Sequence, residues 1–511
     1  MKQLIHNGIL VTKYEPKGFS IKFKGKTIKL TPEQEEMAIA WVKKLDTEYV
    51  KDPVFVENFF KDFCAALKVN GTKDDFDFSE IQRYVNEEKA KKEAMTKEEK
   101  KALAEERKKI REANKQKYGK AIVDGVEVEL GNYVAEPSSI FMGRGQHPLR
   151  GRWKEGPKEE DIILNLSPDA PRPPGKWKQI VWEPDYMWVA KWDDKLRGKE
   201  KYVWLSDSSF VKQNREIEKF NKALELGKKY DLIKKHIIEG LDAKDEKIRK
   251  IATVCYLIDA LSLRVGDEKD EDEADTVGAT TLTKDNIKIK ENNLVEFDFL
   301  GKDSVKWEKK IVLPDNVVRN LKEFMEKSKD IVFEGIRSEN VNEFLSSIVP
   351  GISAKVFRTY HATKAVDEYL KKAKVDKDDM DEYKKYTATL ANLQAAIVCN
   401  HKRKLPAKWK ESLEKKLESL EKLKDKKTEL KKDKKRKSVE KRLQKIDEKI
   451  KKANLKIELM KNTKDYNLNT SLKSYIDPRV YYKWCEKVGF DWKKFYSKTL
   501  QKKFSWVEKS G

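Results

Sequence analysis

The sequence predicts a multidomain α+β protein: a mixed α/β N-terminal part, a mainly helical C-terminal half, and an antiparallel coiled-coil hairpin ahead of residues 463–511. Three observations predict it. At 511 residues the chain exceeds a single core, since domains run to ~100–200 residues. Residues 119–209 set Gly/Pro-rich turns among Trp/Val strand patterns, whereas 210–403 is dominated by helical patterns. Residues 404–462 repeat apolar side chains at 4-3 spacing on a charged background.

Taken in order, FSIKFKGKTIKL alternates apolar and polar residues about Lys24-Gly25 and reads as a β-hairpin. Thr31 is the expected N-cap of the following helix, with Pro32 at its first position. MTKEEKKALAEERKKIREANKQKY, at 95–118, is a charged helix and a boundary rather than a core element. Residues 119–209 read as a mixed α+β unit with basic loops (GRGQHPLRGRW, SPDAPRPPGKW) and strands (QIVWEP, MWVAKW, KYVWL). Within the helical region, 286–312 alternates and reads as a small antiparallel sheet. In the hairpin, Leu413, Leu417, Leu420 and Leu423 mark one arm. Val439, Leu443, Ile446, Ile450, Ala453, Ile457 and Met460 mark the other, with the turn at KKDKKRKS.

The charge balance, 111 Lys+Arg against 88 Asp+Glu for a net +23, points to a polyanion. Lysines and arginines that neutralise phosphates release condensed counterions, which gives salt-dependent affinity. No apolar run reaches the ~20 residues of a membrane span, and MKQLIHNGIL has no signal-peptide core. Cys64, Cys255, Cys399 and Cys485 lie far apart with no CxxC pair, which fits reduced thiols and an intracellular setting. There is no GxxxxGK[ST], GxGxxG, HExxH or GxSxG, so ATP-driven and zinc mechanisms lose support. The acidic run DEKDEDEAD at 267–275 lacks EF-hand spacing and reads as a solvated loop.

What remains is a scattered cationic set: Arg264 in LSLRVGDEK, Lys302 in EFDFLGKDS, Arg358 in AKVFRTYHA and His401 in AAIVCNHKR. Singly, each has a structural explanation; together they fit phosphodiester cleavage. Guanidiniums and an imidazole stabilise charge building on the phosphorane-like transition state. Nearby positive charge activates a tyrosine nucleophile, and a lysine among cations can protonate the leaving 5′ oxygen.

The ordered blocks LSLRVGDEK…EADTVG, VEFDFLGKDS, AKVFRTY, AAIVCNHKR, the helical hairpin, TSLKSYIDPRVYYKWC and KKFSWV resemble those of the eukaryotic-type DNA topoisomerases of class IB. FMGRGQHP and KYVWLSDSS upstream resemble that family's clamp. The resemblance implies relaxation of supercoiled duplex DNA through a 3′-phosphotyrosyl intermediate, controlled rotation and religation, without ATP, cofactor or metal. Tyr475 is then the nucleophile, Arg264, Arg358 and His401 stabilise the transition state, and Lys302 is the general acid. Arg144, Lys201, Tyr202, Lys269, Thr276 and Lys355 match DNA-contacting positions. The implied fold is a clamp around DNA whose mainly helical catalytic lobe resembles the tyrosine recombinases. Residues 15–100 form its cap, 1–14 and 101–209 the rest of an upper lobe, 210–403 the catalytic lobe, 404–462 a coiled-coil linker and 463–511 the domain that delivers Tyr475.

Met142, Leu472-Lys473 and Ser474 depart from the family pattern; Ser474 bears on the response to camptothecin-type poisons. The start of the cap close to Met1 suggests an archaeal or similarly minimal enzyme, and a monomer is the default expectation for a clamp. That implies a DNA-associated location, in nucleoid or cytoplasm if archaeal and in the nucleus if eukaryotic, with replication or transcription machinery as further partners. Two other readings are a site-specific tyrosine recombinase and a non-enzymatic architectural DNA binder, for which charge and aromatics suffice.

Overall fold

A computed structural model describes residues 1–143, 145–267, 276–432 and 437–509. These fall into two compact units, Met1–Lys212 and Gln213 onward. The chain is a mixed α/β, multidomain protein.

In the first unit, strands Ser20–Phe23 and Lys26–Lys29 pair across Lys24-Gly25, with φ of 48° and 81° at the two turn residues. Positive φ at both centres is what a two-residue turn needs to match strand twist. Strand Phe76–Asp77 then returns to pair with Lys22 and Phe23. Helix Pro32–Val42 begins where expected, with Thr31 and Gln34 closing a capping box. This segment packs an aromatic core in which Trp41 stacks on Phe59 at 4.7 Å and Phe55, Phe59 and Phe63 are fully buried. Helix Lys97–Tyr118 is capped by Thr96 and buries no residue, as its charge predicts.

A second core in this unit joins the chain start to residues far along it, because strand Leu4–His6 pairs antiparallel with Lys120–Val123. Beside it lies a four-stranded sheet in the order Gln179–Val181, Ile163–Asn165, Trp188–Asp193, Glu200–Trp204. The expectation of a mixed α+β region over 119–209 is corrected: among the described residues it holds strands, loops and one 3-10 turn, Glu159–Asp161, but no α-helix. The frequent Pro and Gly in GRGQHPLRGRW and SPDAPRPPGKW leave no uninterrupted run for helical turns.

The second unit is mainly helical. Strands Ile287–Ile289, Leu294–Gly301 and Val305–Val312 form the expected antiparallel sheet, with Lys302–Ser304 as the turn between the last two. Helices Glu246–Leu261, Asp315–Lys327 and Ser338–Ser346 pack with this sheet around one core. Helices Ala354–Lys372 and Asp381–Val398 share another with C-terminal residues such as Tyr481, Trp484 and Phe504. Helices Trp409–Lys432 and Lys437–Asn462 pack on each other, burying Leu420, Val439, Ile446 and Ile457, and Lys427 pairs with Asp447. Leu417 instead stays exposed. Among the described residues, no helix is long and apolar enough to cross a membrane.

Candidate active site

Arg264 follows helix Glu246–Leu261, whose C-cap Ser262 has φ 52° and turns the chain out of the helix. The next stretch is fixed by a backbone crossing: Ala279 and Thr280 donate to the carbonyls of Arg264 and Val265 at 2.8 and 2.7 Å. Two glycines permit it, since a Cβ on Gly278 would stand 2.4 Å from Gly266 Cα.

Arg358 lies on helix Ala354–Lys372 and is buried. Its guanidinium donates to the Ser262 carbonyl and, at 2.9 Å, to that of Cys399, tying three elements together. One turn along the helix, His361 Nε2 meets Asp259 Oδ1 at 2.7 Å, while the Tyr230 hydroxyl donates to Asp259 Oδ2 at 2.8 Å. These contacts fix the register in which the helix presents Arg358.

His401 stands just past helix Asp381–Val398, where Asn400 takes φ 51° and the His401 amide donates back to Ala396 O at 2.8 Å. The same loop receives the chain on its return from the helical pair. Arg403 N donates to Asp465 O at 2.9 Å and Asn467 N to His401 O at 2.7 Å. Helix Leu468–Ser474 follows and ends at Tyr475.

These links gather the residues. Arg264 lies near enough to Tyr475 for the phenol to favour the charged guanidinium. The Arg358 guanidinium lies 5.1 Å from the centre of the Tyr475 ring, and the His401 and Tyr475 rings are also 5.1 Å apart. Arg264, Arg358, His401 and the exposed Lys302 line one cavity of about 100 Å³, together with Asn467 and Thr470 from the returning chain. That is room for a small group rather than a drug-sized ligand, which takes ~300–1,000 Å³.

The electrostatics follow from crowding cations. Burial first, then Arg358 and Arg264, push the His401 imidazole from 6.5 down to about 3, so it is neutral at neutral pH. Burial and then Arg358 lower Arg264 from its ordinary range, with Tyr475 opposing them. Both ring nitrogens of His401 and the Nε of Arg358 are buried without a hydrogen-bond partner. The Arg358 Nε–H and the single N–H of the neutral imidazole are thus unpaired donors, which are costly when buried, and their grouping on one cavity suits an acceptor-rich group such as a phosphate. Among the described residues, no group of three or more His, Cys, Asp or Glu could hold a metal ion.

Of the other expected positions, Thr276 and Lys355 lie in the same unit, half-buried and exposed respectively, with Lys355 in the first turn of the Arg358 helix. Lys201 and Tyr202 occupy strand Glu200–Trp204 of the first unit. The Tyr202 hydroxyl donates to Glu200, which pushes it up to about 12. Burial, then Lys154 and Arg197, lower Lys201. Arg144 and Lys269 lie outside the described residues, as does most of the acidic run 267–275. The sequence reading missed Lys219, Thr363 and Lys503, all bonded to the backbone at residues 473–475. Only their nearness to the Tyr475 block in space marks them out.

Comparison with known proteins identifies the family. Residues 1–205 match the profile described as "Eukaryotic DNA topoisomerase I, DNA binding fragment", 208–434 its "catalytic core" and 447–510 a "C-terminal topoisomerase domain". The chain belongs to the eukaryotic DNA topoisomerase I family. It is 37% identical to DNA topoisomerase 1 alpha of Arabidopsis thaliana over 99% of this chain and 58% of that protein. The figures are 36%, 96% and 64% for DNA topoisomerase 1 of Caenorhabditis elegans, and 34%, 99% and 70% for that of Homo sapiens. The chain thus spans about 58–70% of the length of these relatives.

Proposed function

We propose that this chain is a type IB DNA topoisomerase that relaxes supercoiled duplex DNA without ATP. The Tyr475 phenol gives its proton to solvent as its oxygen attacks a backbone phosphorus, the bond from phosphorus to the 5′ oxygen breaks, and the 3′ end is left joined to the tyrosine. Arg264 and Arg358 offset the charge gathering on the non-bridging oxygens, and neutral His401 donates one N–H to them. Lys302 gives its proton to the leaving 5′ oxygen. Reversal reseals the strand, because the phosphotyrosine ester conserves the energy of the broken bond.

The observation that carries this reading is the convergence of Arg264, Arg358 and His401 on Tyr475, with Lys302 lining the cavity that the three share. An architectural DNA binder has no need of it. On the same reading, residues 15–100 serve as cap, 1–14 and 101–209 as the rest of an upper lobe, 404–462 as a coiled linker against downstream DNA, and 463–511 as the domain bearing the nucleophile. Arg144, Lys201, Tyr202, Lys269, Thr276 and Lys355 would hold the duplex. Net charge +23 supports DNA as the partner.

The test is incubation with supercoiled plasmid in EDTA without ATP, followed by denaturation and mapping of protein-linked ends. Relaxation with a 3′-linked adduct, absent in Tyr475→Phe, is expected. Relaxation that required magnesium and ATP would overturn the assignment, and strand exchange between defined sites would favour a recombinase.

A further inference from the structure

We infer that Lys219, Thr363 and Lys503 form a backbone cradle that positions Tyr475 for attack. This rests on the reading of Tyr475 as nucleophile.

Helix Leu468–Ser474 is short and ends at the nucleophile itself. The last carbonyls of a helix have no partner within it, so they must find one elsewhere. Ser471 O accepts from the amides of Tyr475 and Ile476 at 2.9 and 3.2 Å. The carbonyls of 473, 474 and 475 are each taken by a side chain from a different helix. Lys503 Nζ, at the end of helix Lys498–Lys503, donates to Lys473 O at 3.0 Å. Lys219 Nζ, from helix Phe210–Lys228, donates to Ser474 O at 3.1 Å. Thr363 Oγ1, from the helix that bears Arg358, donates to Tyr475 O at 3.2 Å.

The three points are themselves braced. Glu216 holds both ammoniums, Lys219 at 2.8 Å and Lys503 at 3.2 Å. Thr363 Oγ1 also accepts the Asp477 amide at 3.1 Å, so one hydroxyl spans the peptide on either side of Ile476. Two cations at a helix C-terminus also oppose the negative end of its dipole.

None of these contacts touches the phenol. They fix the main chain at 473–477, and with it the direction in which the tyrosine side chain leaves the backbone. Attack depends steeply on that direction, since a shift of ~1 Å away from the chemistry costs ~100-fold in rate. The cradle residues are therefore positioning residues: they set the rate of cleavage and leave DNA affinity alone.

The test is single-turnover cleavage of a duplex oligonucleotide, with covalent product resolved on a denaturing gel and DNA affinity measured in parallel. Thr363→Val keeps the side-chain shape and removes the hydroxyl. We expect cleavage about 10- to 100-fold slower at unchanged Kd and unchanged circular dichroism, with Thr363→Ser restoring the rate. Lys219→Met is expected to behave like Thr363→Val; should it misfold, the Val and Ser pair at 363 decides alone. Parental cleavage by Thr363→Val, a loss confined to Kd, or failure of Thr363→Ser to recover the rate would each overturn the cradle while Tyr475 still formed its adduct. A parent chain that formed no Tyr475-dependent adduct would overturn both the cradle and the reading beneath it.

Discussion

Lowering the pH from 7 to 5 is expected to destabilise this protein through His401. The folded imidazole takes up a proton only near about 3, because burial and the Arg358 and Arg264 guanidiniums oppose the charge. The unfolded imidazole does so near ~6.5, so the unfolded state binds more protons throughout that interval. The contribution is complete above pH 6.5 and is lost as pH falls toward 3. By pH 5 the ratio of binding polynomials is roughly 30, worth about 2 kcal/mol relative to pH 7, out of a stability of ~5–15 kcal/mol. Urea unfolding at both pH values, in the parent and in His401→Asn, measures it. Buried His6, whose imidazole is lowered to about 4, titrates identically in both proteins and cancels. The variant is expected to lose about 2 kcal/mol less than the parent between pH 7 and 5. An equal loss in both proteins would refute a buried imidazole kept neutral by burial and by the nearby Arg358 and Arg264 guanidiniums.

The remaining predictions concern the same site. Arg358→Ala leaves the carbonyls of Ser262 and Cys399 without their donor, which costs about 2–6 kcal/mol and is read as a fall in melting temperature. Arg358→Lys keeps the charge but cannot present the planar fork. It is expected to bind DNA and to relax plasmid about 100-fold more slowly, and relaxation at the parental rate would count against a role for the guanidinium. Lys302→Ala is expected to slow cleavage by ~100-fold, with the loss shrinking on a substrate whose leaving oxygen is replaced by sulfur, since a thiolate leaves without a proton. Replacing 410–460 by a short tether is expected to retain cleavage while changing the turns removed per event, because Arg403 and Asp465 already meet at 2.9 Å at the roots of the helical pair. Single-molecule rotation assays would count those turns, and loss of all cleavage would show that the helices position Tyr475.

Much of the local structure was legible in the residues. Lys24-Gly25 between alternating strands, Thr31-Pro32 ahead of a helix and the alternation at 286–312 each express a preference of a few neighbouring residues, and each formed as expected. The absence of helix over 119–209 is legible in part, in the prolines and glycines of its loops and in the Trp/Val strand patterns of MWVAKW and KYVWL. The five residues of the candidate site stood out as motifs, yet nothing local says that Arg264 and Tyr475 meet.

The chain by itself determined its charge, its helix starts and turns, and which residue types were available for phosphate chemistry, because these depend on side chains within a few positions of one another. Tertiary structure alone decided that Arg358 reaches the carbonyls of Ser262 and Cys399, that Arg403 meets Asp465 across the helical pair, and that Lys219, Thr363 and Lys503 grip residues 473–475. Each of these joins segments tens to hundreds of residues apart. The partner of a backbone carbonyl is chosen by whichever donor packing brings within about 3 Å, and no spacing along the chain encodes that distance.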